Sequence, residues 1–196
     1  MRPDEAIYLP WGAWAVSWCV AALWANRTVS TPGARSQLRY RLLAFAGFVL
    51  LLANAMRPYD HGFQQARLGT LWSLPSGAQW AMVWLATLGF AFCWWARIHL
   101  GALWSSAITR KEGHHVVDTG PYALVRHPIY TGLLTAAFAT MMVRGTSYAV
   151  AGFALLVAAY VMKGRMEEGF LRVELGAEAY DAYARKTAML VPFLRL

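Results

Sequence analysis

Apolar residues fall along this chain in five runs divided by polar stretches, and this pattern predicts an all-α integral membrane protein with about five transmembrane helices. Residues 7–25 carry no charge over about nineteen positions, close to the ~20 that a span requires. Trp11, Trp14, Trp18 and Trp24 within them suit the membrane interface. The N-terminal residues lack a basic region and a small-residue cleavage site, so this first run reads as a retained helix. Residues 26–41 follow as a basic loop with Arg27, Arg35, Arg39 and Arg41, and Thr31-Pro32-Gly33 marks a turn. Residues 42–56 are short for a span unless the helix extends back over Leu38 to Arg41 with its arginines snorkelling. Residues 57–77, broken by Pro58, Gly62, Gly69 and Pro75, predict a loop with an interfacial turn around Trp72, and residues 78–96 a third span.

The longest polar excursion, residues 100–126, precedes two apolar runs, 128–143 and 147–162, that are separated only by Arg144-Gly145-Thr146. Such a connection predicts an antiparallel helical hairpin. Gly132, Ala136 and Thr140 recur four apart, as do Ala154 and Ala158, which predicts close helix pairing in lipid. From Arg165 the chain becomes charged and amphipathic, with Glu174/Glu178 and Asp181/Arg185 at helical spacing. This predicts a C-terminal cytosolic amphipathic helix, broken near Gly176. The expected division is a single membrane domain, 1–196, with a three-helix N-terminal part, 1–100, and a second part, 101–196, that carries the chemistry.

Composition and charge support this picture and add an orientation. The 196 residues are 58% hydrophobic and only 14% charged, against about 25% charged in soluble domains. The net charge of +8 does not imply a nucleic-acid partner, because the basic residues sit at the ends of apolar runs, where lipid headgroups lie. With the N-terminus outside, the inner segments collect Arg27, Arg35, Arg39, Arg41, Arg97, Arg110, Lys111, Arg126, Lys163, Arg165, Arg172, Arg185, Lys186 and Arg195, while Arg2, Arg57, Arg67 and Arg144 stay outside. Cys19 and Cys93, both inside apolar segments, read as buried small hydrophobes.

No two glycines are one residue apart, so G-x-G-x-x-G and similar nucleotide loops are absent, as are G-x-S-x-G and H-E-x-x-H. The polar chemistry concentrates in residues 120–130. Pro128 suits the first turn of a helix and His127 its cap, while Arg126 and Tyr130 add a planar cation and a phenol at a helix start that favours anions. Glu167 and Glu168, after the next apolar run, fall on the same side of the membrane. A belt of Arg, His and Tyr anchoring to headgroups is the competing reading, but two successive carboxylates facing it suit an α-ammonium, a hydroxyl or an internal salt bridge. His114, His115 and His127 lack a carboxylate or thiolate at a familiar metal spacing, so no metal is expected.

The string from His114-His115-Val116-Val117 through Gly120-Pro121-Tyr122, then Arg126-His127-Pro128-Ile129-Tyr130, then Arg165-Met166-Glu167-Glu168 with Leu171, Gly176, Tyr180, Tyr183 and Pro192, resembles the isoprenylcysteine carboxyl methyltransferase family and its phospholipid methyltransferase relatives. The likeness covers the C-terminal half, from about Ala107. It implies an integral-membrane, S-adenosylmethionine-dependent methyltransferase acting on a lipophilic acceptor, with its cofactor pocket on the cytoplasmic side. It further implies that His114, Val116, Val117 and Tyr122 line the adenosine, that His127, Pro128 and Tyr130 lie against the cofactor, and that Glu167 or Glu168 holds its amino acid end. Arg126 would bridge the reacting centre. The family's basic residue three after the second tyrosine of the tail falls on Lys186, a departure from the pattern, with Arg185 beside it as the other candidate to orient substrate.

Methyl transfer from a sulfonium needs proximity and alignment more than acid or base help when the acceptor is already nucleophilic. A carboxylate acceptor would need only a cation to orient it, whereas an amine would need a base, for which Glu167 or Glu168 is the candidate. Two rival readings stay open at this level. Membrane sterol reductases that use NADPH resemble this C-terminal half, including an R-H-P-x-Y string, but would carry an Arg-Asp and a Cys where this chain has Glu167-Glu168. A non-enzymatic membrane protein with a residual cofactor pocket is the other. The acceptor and the oligomeric state are open.

Overall fold

A computed structural model describes residues 1–23, 28–30, 33–52, 69–104, 110–111 and 116–194. The regular structure of the described residues is helical apart from one short antiparallel strand pair, β1 (Thr28–Ser30) with β2 (Arg110–Lys111). The helices are α1 (Pro3–Ala6), α2 (Tyr8–Ala21), α3 (Ala34–Leu52), α4 (Ser76–Leu100), α5 (Pro121–Leu124), α6 (Pro128–Arg144), α7 (Ser147–Leu175) and α8 (Ala177–Lys186). By length and composition, the α4 region Ser76–Leu103 and α7 are each apolar enough to cross a membrane.

Helix boundaries follow local chemistry. α3 begins well before the apolar run, as its arginines required, and α6 starts at Pro128, whose missing N–H costs nothing in a first turn. α6 ends on Gly145 in the left-handed region (φ 57°), and Thr146 caps α7 by accepting the Ala149 N–H at 3.3 Å. α7 runs without interruption from its apolar part through the two glutamates to Leu175, and Gly176 separates it from α8. The charged C-terminal region is therefore the end of a long helix plus a short one.

The hairpin helices pair less with each other than with other partners: α6 lies along α4, and α7 along α3. Glycines make both crossings. A Cβ on Gly89 would stand 2.7 Å from the Gly132 carbonyl oxygen, and one on Gly47 would stand 2.9 Å from that of Gly152. Gly132, Ala136 and Thr140 are all buried, so the small-residue stripe on α6 serves α4 rather than α7. Ala154 and Ala158 are exposed; Gly152, Leu156 and Ala159 form the buried face of α7 instead.

The core gathers around Trp11. Its ring packs edge-on against Phe48 of α3 and Phe90 of α4, and its indole N–H donates to the Thr140 hydroxyl at 2.9 Å. Trp11, Trp14 and Trp18, three to four residues apart, thus turn one face of α2 toward the protein rather than toward an interface; Trp24 lies outside the described residues. Cys93 is buried as expected, while Cys19 is exposed, on the face of α2 turned away from the described helices.

Candidate functional site

Residues 125–131 are fixed by the C-terminal tail. Val125 pairs with Ala188 in a parallel bridge, the Arg126 and His127 amides donate to the Ala188 and Met189 carbonyls (2.8 and 3.1 Å), and the Thr131 hydroxyl donates to Leu190 O (2.6 Å). All four tail residues from Thr187 to Leu190 are buried. The segment after α8 thus closes against the mouth of α6 and pairs the backbone N–H groups of Arg126 and His127 at the helix start.

The side chains that follow from this frame form one network. Arg126 donates to both oxygens of Glu168, Nε at 2.7 Å and Nη2 at 3.2 Å, and its Nη1 donates to the carbonyls of Ala184 (3.1 Å) and Thr187 (2.5 Å). His127 Nε2 is 3.0 Å from the same Glu168, and its Nδ1 is 3.8 Å from Glu167. The Tyr130 hydroxyl donates to Glu167 at 2.6 Å. The Tyr130 ring stacks on His127 (centroids 5.1 Å, 6° between planes), touches Tyr160, and carries the Lys163 ammonium 5.0 Å from its centroid. Successive glutamates on α7 therefore diverge: Glu168, 19% exposed, is locked onto Arg126 and His127, whereas Glu167, 29% exposed, lines a cavity.

That cavity, about 230 Å³, has this network as its floor. Val116, Val117, Tyr122, Arg126, His127, Pro128, Tyr130 and Glu167 all line it, so eight of the expected site residues meet there. Glu168 stands behind them. Arg185 and Lys186 lie exposed on α8 and are not in its lining. The expectation for His114 falls outside the described residues. No cluster suited to a metal occurs among the described residues.

Several lining residues escaped the sequence reading. Trp14 and Trp18 of α2, with Leu100, Leu103 and Trp104, build an aromatic and aliphatic wall opposite α7. Arg97, fully buried, ties this wall together: it donates to Ala21 O (2.7 Å) and Gly101 O (2.5 Å) and lies 4.6 Å over the Trp104 ring. The 3–4 spacing of the α2 tryptophans was the available signal. Tyr160, Lys163, Leu171 and Leu175 of α7 and Tyr180 and Tyr183 of α8 complete the lining. Tyr183 donates to Tyr122 O at 2.7 Å, tying α8 to α5, and His99 holds Thr119 at 2.8 Å with its ring stacked toward Tyr122. Burial, and then the nearby Glu167, pushes the Tyr122 phenol above its ordinary range; burial does the same to Tyr180 and Tyr183. These phenols are neutral donors at neutral pH.

The site's chemistry is thus a carboxylate and a lysine facing an aromatic chamber, backed by an internally neutralised Arg–Glu pair. Such a chamber suits a cationic or zwitterionic ligand with an aromatic part. Residues 82–171 match the model of the Isoprenylcysteine carboxyl methyltransferase (ICMT) family. Among curated proteins, the chain is 31% identical over 111 residues to a probable protein-S-isoprenylcysteine O-methyltransferase of Oryza sativa subsp. indica, covering 56% of this chain and 52% of that one. It is 42% identical over 73 residues to a methanethiol S-methyltransferase of a Pseudomonas species (36% and 26% covered). It is also 31% identical over 122 residues to the cobalt-zinc-cadmium resistance protein CzcN of Cupriavidus metallidurans (60% and 53% covered). The chain spans about half the length of the first of these relatives. The segment that matches the isoprenylcysteine carboxyl methyltransferase family model contains most of α4, all of α5 and α6, and α7 through both glutamates.

Proposed function

We propose that this protein is a multi-pass membrane methyltransferase that uses S-adenosylmethionine to methylate a lipophilic acceptor. The observation that carries the reading is the divergence of the glutamate pair: one carboxylate is spent on Arg126 and His127, leaving Glu167 alone to meet a ligand inside an aromatic chamber. The residues present fit the cofactor. Its ammonium requires an anion, its adenine an aromatic or apolar slot, and its sulfonium a surface without competing water. Glu167 would take the ammonium; Val116, Val117 and Tyr122, and by the family resemblance His114, would take the adenosine; His127, Pro128 and Tyr130 would lie against the remainder. When bound, the cofactor supplies an electrophilic methyl group on sulfur.

The chain's own contribution is then positional. Tyr130 holds Glu167 through its hydroxyl, so the carboxylate enters binding already oriented. Arg126 and Glu168 neutralise each other at the floor and carry the tail that keeps His127 in place. Arg126 acts toward the reacting centre through this arrangement, and Arg185 and Lys186, on the exposed face of α8, are the candidates to meet acceptor or lipid outside the chamber. α2, α3 and α6 join the two long apolar helices in a five-span arrangement with the site on the cytoplasmic side, where the basic residues accumulate.

The test is calorimetric titration of S-adenosylhomocysteine into the purified, detergent-solubilised protein. Saturable binding is expected, weakened at least ~10-fold by Glu167→Gln, the loss typical of removing one charge-assisted contact. A folded sample that binds neither this ligand nor S-adenosylmethionine would sink the reading.

A further inference from the structure

The segment that follows α8 has two halves of opposite character. Thr187 to Leu190 are buried, and Met189 and Leu190 pack on Tyr130 with Leu134 of α6 and Val161 of α7 beside them. Val191 to Leu194 are exposed although none is polar: Val191 is 52% exposed, Leu194 48% and Phe193 fully so. Phe193 also stands at φ 68°, in the left-handed region that a bulky residue enters only where something offsets the strain. The Leu194 N–H donates to Val191 O at 3.0 Å and closes the turn. In water this turn would be an apolar patch with no cover.

The register of the segment says what covers it. It runs parallel to the start of α6: Ala188 meets Val125 and Arg126, Met189 meets His127, and Leu190 meets Thr131. Thr131 lies about one turn inside α6, roughly 5 Å beyond Pro128. Residues 188–190 therefore descend from the mouth of α6 along its apolar part, and Val191 to Leu194 follow at that depth. Arg185 and Lys186 end α8 and are exposed, just before the descent, at the height where lipid phosphates lie when α6 spans the bilayer. Two cations above an outward apolar turn match a leaflet, with phosphates over acyl chains.

We propose that Val191 to Leu194 form an interfacial lipid anchor, seated in the leaflet beside the start of α6, and that this anchor holds residues 187–190 closed over the chamber floor. The inference rests on the multi-pass arrangement proposed above. Anchor and paired residues are consecutive, so lifting the turn out of the leaflet frees Leu190 and Met189 first, and with them the acceptor of the His127 amide.

Depth is measured by spin-label accessibility in nanodiscs of phosphatidylcholine and phosphatidylglycerol. Cys19→Ser removes the exposed one of the two cysteines, and Phe193→Cys or Leu88→Cys, the latter at an exposed position of α4, takes the label. The label at 193 should collide with oxygen in preference to an aqueous nickel complex, as the label at 88 does. A preference for nickel at 193 alone overturns the anchor. Shielding from both reagents, or dipolar broadening between labels, assigns the turn to its own chain or to a second copy and overturns it too. Preference for nickel at 88 strikes the multi-pass arrangement instead, so the two failures are distinguishable. The hold on the floor is read by amide hydrogen exchange of residues 125–131 in the same nanodiscs. Phe193→Asp should speed it at least ~10-fold, the loss expected when one phenyl ring leaves apolar surroundings, while Phe193→Trp should stay within ~3-fold. Unchanged exchange at 125–131 in Phe193→Asp overturns the proposal, as does an acceleration shared equally by residues 78–96.

Discussion

Replacing Arg126 by alanine tests whether this residue is chiefly a clamp. Its side chain is 10% exposed and its partner Glu168 19%, so the pair is mostly, though not wholly, withdrawn from water. The substitution removes two N–H donors from the Glu168 carboxylate and two from the carbonyls of Ala184 and Thr187. Breaking one partner of a buried pair costs ~3–5 kcal/mol, and the residual exposure and the surviving His127 contact reduce this to ~2–4 kcal/mol. For a chain of this length that corresponds to a fall in melting temperature of ~5–15 °C. The assay is a thermal melt in detergent of Arg126→Ala, Glu168→Gln and the double variant. A coupling of at least ~1.5 kcal/mol is expected, because the second change removes the charge the first left unpaired. Strictly additive effects would refute the clamp. S-adenosylhomocysteine affinity of the single Arg126 variant should fall only a few-fold where the fold persists, since Glu167 is held by Tyr130, whereas methyl transfer should fall much further; unchanged turnover would remove Arg126 from any part in the reaction.

Glycine substitutions separate packing from propensity. Gly132→Ala drives a Cβ into the Gly89 carbonyl between α4 and α6 and should destabilise by ~1–3 kcal/mol, whereas Gly169→Ala, exposed on α7 with nothing near its Cβ, should stabilise by ~0.5–1 kcal/mol; equal effects would contradict the helix pairing. Alkaline pH should loosen the fold for a specific reason. Tyr122, Tyr180 and Tyr183 ionise above their ordinary value of 10.0 when folded, so their contribution is complete below that pH and is lost as pH rises through the higher folded values. Melting temperature should hold to about pH 10 and fall beyond it, less steeply in Tyr183→Phe. An identical slope in that variant would count against the assignment.

The five apolar runs were legible as helices because hydrophobic length is a strong signal, and the hairpin turn was legible because Gly145 and Thr146 are ordinary stop and start residues. Their partners were not. Gly132 and Ala136 announced close packing, but nothing in a one-dimensional stripe says which helix will fill it, and α4 did. At the site, residues 116–130 and the glutamate pair were recognisable together because their spacing is distinctive. Which glutamate faces inward was not readable, since neighbouring helical positions differ by about 100° and the answer depended on where Arg126 and His127 stand. Trp14 and Trp18 looked like interface anchors because composition cannot distinguish a ring facing lipid from one facing a chamber.

The pairing of residues 187–190 with residues 125–131 makes the site depend on the segment that follows α8. Helices α2 to α7 precede Thr187 in the chain, so the mouth of α6 lacks its closing partner until the residues after α8 have been synthesised. Until then the Arg126 guanidinium lacks the Thr187 and Ala184 carbonyls, and Glu168 faces an unfinished floor. A chain truncated before Thr187 would therefore keep the sequence of every helix yet lack the backbone partners that close the chamber floor.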